Sequence, residues 1–420
     1  MAEQLTMVSL EEQPLLNAFE KVFIGASGTS KVTAAVLGTQ TTLSGGKSAR
    51  RSSICRIGDT DTFCFVYFDT SFKRLYAKVI TFNPSNGSFS IGGEQDISSS
   101  GYSAEQINPT ATWDATSSRV VCCAQKDSYY PAIYTFSLNG NSVESVTSVR
   151  INSDSSCVLS KGNNFIYDSD SGKYIGILHK VNTGTRGFVF TVSSNGGITI
   201  NTSSEGISGG AAGYDRSDLT SLIYDGTSYH YFNAVRTNNA GKHLCFTFNG
   251  SSFANADGLT SLNLTNVSRF GGAVYLPTVN KVVSVYNESY NSYTGWVRKI
   301  RFYTPTTSGS RLSSTGTTTL GSNLINWRIA AQIDSIDLEP ISEGIILFEQ
   351  ETTSSTCRVN QVIYNSDGGF QEVVDLGSNT NSGTIGVSNI APTHDDDFSI
   401  LAWGHQSGTN YYARTIRGQS

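Results

Sequence analysis

Histidines, cysteines and one acidic run are the side chains best suited to chemistry in this 420-residue chain. His179, His230, His243, His394 and His405 share no HExxH or other ligand spacing, so they predict no metal centre. His394-Asp395-Asp396-Asp397 carries enough carboxylate to attract a hard cation. It falls where the other repeats make a hairpin turn, however, and reads as a solvated turn. The seven cysteines are Cys55, Cys64, Cys122, Cys123, Cys157, Cys245 and Cys357. Their number is odd and their spacing matches no zinc pattern. Most lie in apolar runs, where a free thiol packs as a small hydrophobe. No P-loop or dinucleotide fingerprint is present. A glycosidase needs two carboxylates about 5–10 Å apart, a separation that residue spacing does not report. The expectation is therefore a chain without cofactor or metal, and not an enzyme.

Recognition chemistry is better represented. Seven polar loops carry aromatic or cationic residues: 69–74, 126–131, 179–186, 236–242, 287–295, 349–356 and 404–410. Phe72, Tyr129, Tyr130, Tyr290 and Tyr293 lie in them, Trp296 and Tyr411 follow directly, and His179, Arg236 and His405 add polar heads. Tyrosine and tryptophan offer an apolar plate with a polar tip, suited to stacking on sugars or anchoring a protein. These ten residues are the candidate ligand or partner site.

The elements that must position them repeat. The strongly apolar runs Phe63–Phe68, Val120–Ala124, Tyr174–Leu178, Tyr229–Val235, Val282–Tyr286, Ile345–Phe348 and Phe398–Trp403 begin at steps of 57, 54, 55, 53, 63 and 53 residues. Each follows an Asp/Gly turn and precedes one polar loop, a third strand and, in six copies, a Thr/Ser-rich fourth strand. Four antiparallel strands in about 50 residues is the arithmetic of a propeller blade. The step of 63 points to an insertion near Leu338–Glu343. The expected fold is all-β, a closed β-propeller of about seven four-stranded blades. In a blade, all second-to-third loops open on one face.

The seventh copy ends at Ser420 without a fourth strand. Lys31–Leu43 precedes the first copy and has strand character, so an N-terminal strand is expected to complete the last blade and remove two free edges. The expected organisation is an arm or cap over 1–30 and a propeller over 31–420. Its blades lie near 53–98, 103–151, 157–207, 217–262, 268–320, 325–376 and 384–420 with 31–44. Leu5–Ile24 has a partly helical apolar period interrupted by Pro14, which suits a capping helix or an arm docking on a neighbour.

Net charge is −5 and no basic stripe occurs, which argues against a nucleic-acid partner. No apolar run approaches the roughly 18 residues of a membrane span. The first residues lack the apolar core of a signal peptide.

The repeated unit resembles the propellers of virion proteins from tailed bacteriophages. The resemblance rests on an Asp/Gly turn, then an apolar strand ending near Tyr and a charged residue, as in Tyr67-Phe68-Asp69 and Ala234-Val235-Arg236. A Gly-flanked strand and a Gly/Asn turn follow, and the pattern spans about 53–420. The resemblance implies a virion component of tail-fibre, tail-tip or decoration type, assembled in the host cytoplasm. It implies other virion proteins as partners, and a host-surface glycan or protein as ligand. A carbohydrate-binding propeller is the alternative, and a glycosidase a more distant one.

Overall fold

The structure is a computed structural model. It describes residues 36–37, 41–44, 49–69, 74–98, 109–126, 130–153, 157–159, 164–180, 184–207, 222–224, 230–237, 240–255, 267–291, 295–304, 313–319, 333–341, 344–351, 356–364, 370–380, 385–392, 398–405 and 411–417. The 1–30 arm, Phe72, Tyr129, Tyr293 and the 394–397 acidic run lie outside them.

The described strands form seven antiparallel sheets, and the architecture is an all-β propeller. Two short strands come first in the chain, β1 (Val36–Leu37) and β2 (Thr41–Ser44). Sheet 1 is β3 (Ala49–Arg56), β4 (Thr62–Asp69), β5 (Arg74–Asn83) and β6 (Ser88–Asp96). Sheet 2 is β7 (Thr110–Asp114), β8 (Arg119–Lys126), β9 (Tyr130–Asn139) and β10 (Ser142–Arg150). Sheet 3 starts with β11 (Cys157–Val158) and β12 (Phe165–Asp168), which both pair β13 (Lys173–Lys180), and continues to β14 (Gly184–Val192) and β15 (Ile198–Gly206). Sheet 4 holds β16 (Leu222–Tyr224), β17 (His230–Thr237), β18 (Ala240–Phe248) and β19 (Phe253–Asn255). Sheet 5 holds β20 (Val267–Leu276), β21 (Lys281–Asn291), β22 (Gly295–Thr304) and β23 (Ser313–Thr319). Sheet 6 holds β24 (Ile333–Ile341), β25 (Gly344–Glu351), β26 (Thr356–Tyr364) and β27 (Phe370–Thr380). Sheet 7 is β28 (Ile385–Pro392), β29 (Phe398–His405) and β30 (Tyr411–Arg417), flanked by β1 and β2. In that flank Thr41 faces Ala413 and Val36 faces Arg417.

Burial explains why second strands read as continuous apolar runs. Both of their faces are covered by neighbouring sheets, as in β4, whose last seven residues are all buried. Fourth strands such as β15 lie at the rim and keep several exposed side chains. First strands meet the first strands of other sheets: β3 packs on β7, β20 on β24, β24 on β28, and β28 on β3.

Hydrogen bonds tie the first strands together. Ser53 Oγ accepts from the Ala111 amide at 2.9 Å, and Thr110 Oγ1 accepts from the Asn164 amide and its Nδ2 at 3.3 and 3.0 Å. At the rim Lys173 Nζ donates to the Gly250 carbonyl at 2.6 Å. Leu43 of β2 is buried among Ile54, Phe63, Phe65, Tyr67, Ile80 and Phe82 of sheet 1, and Lys78 Nζ donates to its carbonyl at 3.1 Å.

Turn chemistry follows the sequence. Asp114 Oδ2 accepts from the Ser117 amide at 3.2 Å, and Asp168 accepts from the Asp170 amide at 3.3 Å and from the Ser171 hydroxyl. One expectation changes. Leu338–Ile341 pair directly with Gly344–Leu347, so no insertion sits there. The second strand of sheet 4 is described from His230, and its expected start at Tyr229 lies outside the described residues.

Candidate functional site

The second-to-third strand ends of the sheets gather most of the predicted recognition residues. Tyr130 opens β9, His179 lies one residue from the end of β13, and Arg236 lies one from the end of β17. Tyr290 is the penultimate residue of β21, Trp296 is the second of β22, His405 ends β29 and Tyr411 opens β30. Seven of the ten candidates thus sit at the same end of sheets 2, 3, 4, 5 and 7. The other three, Phe72, Tyr129 and Tyr293, are outside the described residues.

Their local setting differs from sheet to sheet. In sheet 2 the Arg150 guanidinium lies 4.6 Å from the centre of the half-buried Tyr130 ring, a cation–π contact that orients the ring. In sheet 3 His179 stands between Val158 and Thr185 in register. In sheet 4 the expected seven-residue loop 236–242 shortens. Arg236 faces Gly241 and Thr237 faces Ala240, so most of that loop lies in paired strands. In sheet 5 the register slips between Glu288 and Asn291, so Tyr290 sits in a bulge, a device that re-aims side chains. In sheet 7 Tyr411 faces Gly404 on one side and Ser44 on the other, which joins the site to the N-terminal strand.

Sheet 1 fixes its own end by charge. Arg74 forms an ion pair with Asp96, whose carboxylate also takes the Ser98 amide at 2.9 Å. One step inward, Glu94 accepts from the Tyr67 hydroxyl and lies 3.9 Å from Lys78 Nζ.

Among the described residues, no group of three or more His, Cys, Asp or Glu is arranged to hold a metal ion. The nearest approach is a thiol cluster between sheets 1 and 2. Cys55 faces Cys64 across β3 and β4, and Cys122 packs in the same apolar cluster. Burial pushes the Cys55 thiol up to about 12 and raises Cys64, Cys122 and Cys123 as well. A protonated, enclosed thiol is a poor ligand and a poor nucleophile. Iodoacetamide at pH 8 is therefore expected to leave Cys55, Cys64, Cys122, Cys123 and Cys157 unmodified in the folded protein and to modify all five in denaturant. Site-resolved mass spectrometry checks this; labelling of Cys55 or Cys122 in the native state contradicts it.

The sequence reading passed over the opposite end of the sheets. There Trp113, Tyr167, Tyr224 and Tyr275 hold the same position, each seven residues before its partner on the second strand. That constant spacing was the available signal.

No family model and no curated protein matches the chain. Among solved structures it is similar to the periplasmic gluconolactonase of Pseudomonas aeruginosa, with a TM-score of 0.51 and 10 % identity over 79 % of this chain and 86 % of that one. It is also similar to hydrazine synthase of Kuenenia stuttgartiensis, with a TM-score of 0.52 and 9 % identity over 91 % and 98 %. The Dos1 propeller follows at 0.49 and 8 %, over 91 % and 95 %. Identities this low show the fold and transfer no residue. They do correct one expectation. Two of these structures are named for enzymes, so the propeller gives no ground for a chain that is not an enzyme.

Proposed function

We propose that the seven sheets are the blades of one closed ring, and that the chain is a binding component of a tailed-bacteriophage virion. Closure is supported by the packing of β28 on β3 and by the pairing of β2 with β30. The virion assignment rests on the resemblance of the repeated unit.

The observation that carries the binding role is the gathering of Tyr130, His179, Arg236, Tyr290, Trp296, His405 and Tyr411 at one end of five sheets. A ring repeats that end around its axis, so the residues share a face of mixed aromatic and polar character. Such a face suits a glycan or a protein neighbour on a host or on the particle. Weak single contacts gain strength when many copies act together.

Mass spectrometry of purified virions from the source culture tests the reading. Stoichiometric recovery of this chain with the particles is the expected result. Its absence from every particle fraction, with recovery from cells or medium, overturns it.

A further inference from the structure

We propose that the end of the ring opposite the candidate site, where first strands turn into second strands, carries a separate site for a neutral sugar ring, with Tyr167 as its stacking plate. Tyr167 is 44 % exposed, and among the described residues only Val146 is another large apolar side chain so open. Two of the aromatics at the matching positions, Trp113 and Tyr275, are engaged. Trp113 packs against the core between sheets 1 and 2, close to Gly58, and the Tyr275 hydroxyl donates to Asn280 Oδ1 at 3.1 Å. The Tyr167 hydroxyl has no hydrogen-bond partner among the described residues.

The plate is held in place from behind. Its ring centre lies 5.0 Å from that of Tyr174, which is buried and stacks on Phe190 at 4.9 Å. A ring fixed before binding loses little conformational freedom on binding. In the turn that follows it, Ser169 and Asp170 are exposed and supply hydroxyl and carboxylate partners.

Size and charge select the ligand. A stable protein interface needs about 800 Å² per partner and clustered apolar anchors, whereas one isolated ring matches a single pyranose. A nucleic acid needs cations. Here Asp168 and Asp170 are adjacent, and the ammonium of Lys173 is bound to the Gly250 carbonyl. A neutral sugar stacks its C–H face on the ring and offers hydroxyls to the turn residues.

Titration calorimetry with maltohexaose, cellohexaose, xylohexaose, mannohexaose and chitohexaose tests this. At least one is expected to bind. Tyr167→Ala should weaken it about tenfold or more, which is roughly 1.4 kcal/mol. Tyr167→Phe should keep it within about twofold because the plate remains. His405→Ala, at the other end of the ring, should leave it unchanged. Circular dichroism of the Tyr167→Ala variant verifies that it folds. The inference is overturned if no probe binds. It is equally overturned if binding survives Tyr167→Ala, or if His405→Ala removes it instead.

Discussion

A chain lacking residues 1–44 should lose its cooperative unfolding transition and run as aggregate on gel filtration. Three consequences of the deletion act together. The strand β30 loses the pairing of Thr41, Thr42 and Ser44, and becomes an open edge. The apolar site on sheet 1 that Leu43 fills opens to water, although Leu43 is only 2 % exposed in the intact chain. Lys78 also loses the carbonyl that accepts its hydrogen bond, while its partner Glu94 remains. The single substitution Leu43→Ala isolates the second of these. It is expected to cost about 2–4 kcal/mol, in line with truncation of other buried leucines. Urea unfolding reads this as a lower midpoint with an unchanged slope. A truncated chain that stays monomeric, with the midpoint of the full chain, would show that the N-terminal strand is an ornament on sheet 7 rather than a latch.

Gly176→Ala should be the most damaging addition of a single carbon atom. Gly176 lies inside the second strand of sheet 3, where β-carbons are normally welcome. A Cβ built there would collide with the edge of the Phe188 ring and lie 2.7 Å from the Asn164 carbonyl oxygen. Neither neighbour can retreat cheaply. Phe188 is fully buried, and its ring stacks with Phe190 at 6.1 Å. The Asn164 carbonyl accepts from the Ile177 amide at 2.9 Å, and its side chain reaches Thr110 of sheet 2. Overpacking of this kind costs about 1–3 kcal/mol, occasionally more. The mechanism is checked by a double-mutant cycle with Phe188→Leu. The smaller side chain makes room, so the two costs should add to less than their sum, with a coupling of at least about 0.5 kcal/mol. Strict additivity would assign the damage to backbone strain instead.

The reach of the sequence can be judged at particular residues. Sheets were legible because each is built from strands adjacent in the chain. Phe63–Phe68 needs only the hairpins at Asp61 and Asp69 to find its partners, and the Asp-x-x-Ser turn after Trp113 announces itself locally. Gly176 was visible as a glycine interrupting an apolar strand, which usually marks a close approach; its partner Phe188 was not.

The candidate site was legible only as strand ends. Sequence order put Tyr130, His179, Arg236, Tyr290, Trp296, His405 and Tyr411 after apolar runs, and meander topology then sends them to one end of their sheets. The sequence by itself also determined the all-β class, the repeat and the strand character of the N-terminal segment. Tertiary structure alone decided that Leu43 is buried in sheet 1, that Thr110 serves Asn164, and that Tyr167 stands open while Trp113 is packed. These are contacts between sheets, separated by dozens of residues. Local alternation fixes which face of a strand is apolar, but the neighbouring sheet decides which of those faces is covered.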